Sequence, residues 1–149
     1  MSLKQNLYCK CEELLNQRLK VIQKTITDIQ NSLLSETKSS AGDKHETGRA
    51  MLQLEREKAG QQLADIQKQF KLLHKINPEI ETTIVTLGSI VFTSQANYFM
   101  AVSVGELKTN SQQFYAISPA TPMGKLLVAK SKGDAIQFRN QEISILEVL

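Results

Sequence analysis

The chain has 149 residues, 41% hydrophobic and 22% charged, which sets a prior of one domain or two small ones. Seven Gly and three Pro exclude a collagen-like or low-complexity chain, and no Trp, three Tyr and five Phe are too few aromatics for one large core, so an elongated or split core is expected. The net charge of +3 is too weak to argue for direct nucleic-acid binding, and its excess is uneven: residues 1–80 carry 13 Lys and Arg against 10 Asp and Glu, while residues 81–149 carry five of each.

The N-terminal stretch MSLKQNLYCK lacks an apolar signal core, and no apolar run approaches the ~20 residues that cross a bilayer. A cytoplasmic protein with no membrane partner is expected. Cys9 and Cys11 form a lone C-x-C pair, read as reduced thiols rather than as a zinc site or a disulfide.

From Glu12 to Leu34 there is neither Gly nor Pro, and apolar residues recur at Leu15, Leu19, Ile22, Ile26, Ile29 and Leu33. That 4-3-4-3-4 spacing is a heptad seam and predicts a helix packed lengthwise on another helix. A second seam runs Leu52, Arg56, Ala59, Leu63, Ile66, Phe70, Leu73. The numbers of Leu33 and Leu52, Ile29 and Arg56, Ile26 and Ala59, Ile22 and Leu63, Leu19 and Ile66, and Leu15 and Phe70 each add to 85. A constant sum is what an antiparallel pair requires, and it puts the turn between Gly42 and Asp43. Arg56 fits the seam if its stem lies in the groove and its charge stays in water. Roughly 30 residues per arm give a reach on the order of 45 Å.

Residues 1–76 are therefore expected to form an antiparallel coiled-coil hairpin with its tip at about 39–47. The tip holds Asp43 and Glu46 as D-x-x-E. As an N-cap and its N3 partner they would form a capping box that starts the second helix. Two carboxylates at that spacing can also share a divalent cation, and Mg²⁺ accepts one or two protein carboxylates with water and phosphate supplying the rest. Opposed by the helix N-terminus, such a site is weak without a partner. His45, between the acids, is either a third ligand or a solvated side chain.

Asn77-Pro78 breaks the helix and opens a linker over 77–83. Residues 84–149 change character. Runs at 84–86, 89–93, 97–104, 112–117, 134–138 and 143–148 are rich in β-branched and aromatic residues and predict an antiparallel sheet, with Arg139-Asn140-Gln141-Glu142 as the last hairpin turn. Ser118 to Lys130, with Pro at a helix-start position and Leu126, Leu127 and Lys130 at helical spacing, predicts a short helix on the sheet. The class is α+β. No nucleophile–base pair or phosphate loop is present, so no independent enzyme is expected.

The tip Gly42-Asp43-Lys44-His45-Glu46, and the stretch running from Ser118-Pro119 through Ala129-Lys130 to Gly133-Asp134-Ala135-Ile136, resemble the tip and the S-P … G-K-x-x-G-D-x-V signature of the bacterial Gre family of transcript-cleavage factors. The resemblance spans almost the whole chain. It implies an FKBP-like C-terminal domain that docks on RNA polymerase, a coiled coil that enters the secondary channel, and stimulated cleavage of backtracked RNA. Carried over by position, Asp43 and Glu46 would hold a catalytic Mg²⁺ shared with the polymerase. RNA and DNA would be met only inside that complex, by a monomer. Two departures stand out: Thr47-Gly48-Arg49-Ala50 replaces the family's Asn and Glu-Tyr pair, and Ala129 stands where a Gly precedes the Lys. The other readings are a related channel regulator without cleavage activity and a coiled-coil interaction or chaperone-like module.

Overall fold

The computed structural model describes residues 2–38 and 43–149, without the side chains of residues 37, 38 and 43–45. Two long helices, α1 (Leu3–Lys38) and α2 (Asp43–His74), precede six strands: β1 (Ile90–Thr93), β2 (Asn97–Met100), β3 (Gly105–Thr109), β4 (Gln112–Ile117), β5 (Ala135–Phe138) and β6 (Gln141–Val148). A third helix, α3 (Pro122–Leu127), lies between β4 and β5. The expected α+β class and its order, helical hairpin first and small β domain second, are those of the structure. Residues 39–42 of the expected tip lie outside the described residues.

Contacts divide the chain into two compact units, Leu15–Lys68, and Met1–Leu14 together with Gln69–Leu149. In the first, every seam position is sheltered. Ile22, Ile29, Ala59 and Ile66 are buried, while Leu19, Ile26, Leu33, Leu52, Arg56 and Leu63 are half-buried. In four of the pairs that the mirror numbering predicts, one member is buried and the other half-buried: Ile29 and Arg56, Ala59 and Ile26, Ile22 and Leu63, Ile66 and Leu19. Near the turn, Arg49 Nη1 donates to the Leu33 carbonyl at 3.3 Å, and a methyl group added at Gly48 would lie 3.5 Å from Glu36 Oε1. Both pairings join the two helices close to the expected turn.

In the second unit the helix α1 begins well before Glu12, because its sheltered stripe continues backward through Cys11, Leu7 and Lys4, all buried. The sheet has strand order β3-β4-β2-β1-β6-β5. On one face Val91, Met100, Ile136, Ile143, Ile145 and Val148 pack with Val85 and with Leu127 of α3. Phe99 and Phe114 are fully buried on strands β2 and β4, and the Phe114 ring meets Phe92 edge-on at 5.8 Å.

The structure corrects the strand expectations at five places. The sheet is not wholly antiparallel, since β2 and β4 run parallel, Phe99 opposite Ala116. The run 97–104 ends as a strand at Met100. The chain then turns at Gly105 (φ 88°) into β3, and the β3–β4 hairpin brings β4 back between β3 and β2. Strand β3 was not expected because GELKT has one inward residue, Leu107, and an exposed Lys108–Glu106 pair, the chemistry of a protected edge. Residues 84–86 are no strand: Ile84 makes a single bridge to Ser131, and the Val85 amide donates to the Lys130 carbonyl at 2.8 Å. The last hairpin turn is tighter than expected, with Arg139 and Asn140 alone at φ 50° and 64° and Gln141 already paired with Phe138.

Candidate functional site

Helix α2 runs over Asp43–His74; the residue before it and the side chain of Asp43 lie outside the described residues, and with them the expected capping box. The acid keeps a favourable place there, because a carboxylate in the first turn complements the partial positive charge of the unsatisfied N–H groups. Glu46 follows three residues later, and positions three apart are neighbours on a helix surface. Its side chain is exposed. The side chains of Asp43 and His45 lie outside the described residues, and so does the geometry of the expected metal pair. Among the described residues no group of three or more His, Cys, Asp or Glu side chains is placed to hold a metal ion.

The chemistry available at this end of α2 follows from residue type and spacing. Two carboxylates on one helical turn offer oxygen ligands to a hard cation but leave most of an octahedral shell to others. Beneath them Thr47 is exposed, Gly48 faces Glu36, and Arg49 ties the helices together through the Leu33 carbonyl. The segment Thr47–Ala50 therefore includes a residue that joins the two helices.

The second stretch behind the resemblance, 118–136, is built into the backbone. The Ser118 carbonyl accepts from the Thr121 amide and from Thr121 Oγ1. Thr121 caps α3 by accepting from the Gly124 amide at 3.0 Å, and Pro122 opens the helix, as expected. Gly124 allows a close approach, since a Cβ there would collide with the Ser118 carbonyl oxygen. Ala129 has a left-handed backbone, φ 69°, just past the helix end, a position that favours glycine. Asp134 Oδ2 accepts from the Ser131 amide at 2.8 Å, and Gly133 at φ 93° makes the turn into β5. These residues shape a loop and a helix; none of them gathers into a catalytic group.

Both cysteines are free. Cys9 is half-buried and Cys11 buried, and burial pushes the Cys11 thiol up to about 12. Its thiolate, the reactive form, is thereby suppressed.

A cleft that sequence reasoning missed lies in the second unit, lined by Lys4, Lys75, Asn77, Thr82, Leu87 and Gly88 among others. Lys4 is buried, and its Nζ donates to the Ile80 carbonyl at 2.6 Å. Desolvation lowers its pKa, with the charge of Glu81 opposing. The signal was legible in the spacing, since Lys4, Leu7, Cys11 and Leu15 form one helical stripe and place a lysine on its buried side.

No family model matches the sequence, and no curated protein matches it. Among solved structures the chain is similar to one described as the structure of the transcription factor Gfh1, at 19% identity over 91% of each chain and a TM-score of 0.37. It is also similar to the crystal structure of GreA factor homolog 1 (Gfh1) of Thermus thermophilus, at 19% identity over 92% of this chain and 93% of that one, with a TM-score of 0.34.

Proposed function

We propose that this protein is a Gre-like transcription factor: it binds RNA polymerase, inserts its coiled-coil tip into the secondary channel and stimulates cleavage of backtracked RNA. The observation that carries this reading is the sequence Gly42-Asp43-Lys44-His45-Glu46 at the turn of a hairpin whose helices are 36 and 32 residues long. The two acids open α2, thirty-two residues long, whose last residues belong to the unit that holds the sheet. On this reading the sheet domain, FKBP-like in kind, docks on the polymerase surface and the arm delivers the acids.

Asp43 and Glu46 take two places in the shell of a Mg²⁺ ion whose other ligands come from the polymerase carboxylates, water and the RNA phosphate. The ion supplies an activated water and charge neutralisation at the phosphodiester. Two carboxylates alone hold Mg²⁺ weakly, which suits a factor that acts only inside the polymerase. The protein is then no enzyme by itself, and it works as a cytoplasmic monomer, its hairpin seam satisfied within one chain.

A related channel regulator without cleavage activity is the second reading, favoured by Thr47-Gly48-Arg49-Ala50, where Arg49 serves the hairpin instead of projecting beside the acids. A cleavage assay on backtracked elongation complexes decides. The first reading expects transcript shortening with wild type and its loss in Asp43→Ala and Glu46→Ala, with polymerase binding retained. An intact transcript at saturating protein, with binding retained, leaves the second. Absence of polymerase binding refutes both and leaves a coiled-coil interaction or chaperone-like module.

A further inference from the structure

Lys4 is 5% exposed as a residue, and its ammonium has one acceptor among the described residues, the Ile80 carbonyl. An ammonium carries three donors, so two remain for something else. Lys75 lines the same cleft and makes no ion pair among the described residues, and neither Asp nor Glu lines it. Leu87, also in the lining, has an amide N–H with no main-chain acceptor among the described residues. The cleft holds about 240 Å³, several times the ~30 Å³ that a water takes in the liquid.

A desolvated cation is costly unless paired and hydrogen-bonded, and a carbonyl supplies only part of what the ammonium loses. Two lysine charges, opposed by the single charge of Glu81 near Lys4, leave a net positive concave surface whose lining also offers the hydroxyls of Thr82 and Thr86, a field for an anion with several acceptor oxygens. A carboxylate brings one charge and two oxygens; a phosphate group brings up to two charges and three or four oxygens. We propose that the cleft between the start of α1 and the 75–88 segment binds a phosphate group, free or carried on a small molecule. The apolar remainder of the lining, with Ile76, Ile80 and Leu87, would accommodate an attached apolar group. This site lies in the unit that holds the sheet and is independent of the proposed role of the tip.

The test is amide chemical-shift mapping of the full chain during titration with inorganic phosphate and, separately, with acetate, at constant ionic strength and pH. Saturable shifts centred on Asn77, Leu87 and Gly88 are expected with phosphate. Lys4→Met is expected to weaken binding at least tenfold and exposed Lys75→Gln about fivefold, with the rest of the spectrum unchanged. Should Lys4→Met disturb the fold, Lys75→Gln alone carries the test. Linear, unsaturable shifts, equal affinity for acetate, or a Lys75→Gln titration identical to wild type would each overturn the proposal.

Discussion

Arg49 donates through Nη1 to the main-chain carbonyl of Leu33, 3.3 Å away on the opposite helix of the hairpin. A carbonyl inside a helix already accepts from the amide four residues on, so the guanidinium uses its second lone pair and couples the helices without breaking either ladder. Arg49→Ala should therefore loosen the end of the hairpin by about 1 kcal/mol. Hydrogen exchange is expected to quicken around Leu33–Glu36 and Gly48–Leu52, with sheet amides unchanged. Equal acceleration in both units would contradict a local role.

The left-handed backbone of Ala129 makes it a site of removable strain. An L residue there costs roughly 1–2 kcal/mol relative to glycine, partly offset by the greater freedom of glycine in the unfolded chain, roughly 0.4–1 kcal/mol. Ala129→Gly should raise stability by about 0.5–1 kcal/mol in denaturant melts. A loss of stability would show that the alanine methyl makes packing contacts worth more than the strain.

Gly124 carries the opposite expectation. A methyl group there must displace the Ser118 carbonyl and the Thr121 side chain that caps α3. Gly124→Ala should cost about 1–3 kcal/mol despite alanine's better helix propensity. The readout is the urea midpoint together with the near-ultraviolet signal of the aromatics in the sheet domain.

The acids at the start of α2 can be separated by function. Asp43→Asn keeps a side-chain acceptor near the helix end and removes a charge that Mg²⁺ binding needs. It should change stability by less than about 1 kcal/mol and abolish stimulated cleavage, as should Glu46→Gln. Cleavage by Asp43→Asn at the wild-type rate would remove the metal from the proposed mechanism.

Cys11 predicts an alkaline limit. Its thiol, raised by burial from 9.0 to about 12, stays protonated in the folded chain after the unfolded chain has ionised. The folded state then holds the extra proton, so this contribution is complete below pH 9 and is lost as pH rises from 9 through about 12. The slope approaches 1.4 kcal/mol per pH unit from this one group. Lys4, lowered by desolvation, titrates with the opposite sign, whereas Tyr8 and Tyr98, raised by desolvation, add to the loss. Comparing wild type with Cys11→Ala isolates the thiol: the variant should be less stable at pH 7 and show a shallower fall above pH 9.

The hairpin was legible because its information is local and repeated. A heptad period marks which residues of a helix are sheltered, so the burial of Ile22, Ile29, Ala59 and Ile66 could be written down from the sequence. The turn into β5 at Gly133 and the cap of α3 at Thr121 lie in stretches already marked by glycine and proline. Strand β3 was hidden for the converse reason. With only Leu107 facing inward, an edge strand of charged residues has no alternation to read.

The α+β order, the sheltered stripes of the two long helices and the position of Asp43 and Glu46 where α2 begins were set by local sequence. Heptad spacing and turn chemistry act over a few residues and survive without knowledge of the rest. Long-range closure of the chain was needed to lay β4 parallel to β2, to hold Ala129 in a glycine-favoured conformation and to bury Lys4 against the Ile80 carbonyl. Each depends on which distant segment closes over which, and hydrophobic burial is non-directional: it demands that a face be covered and leaves the covering segment to the whole chain.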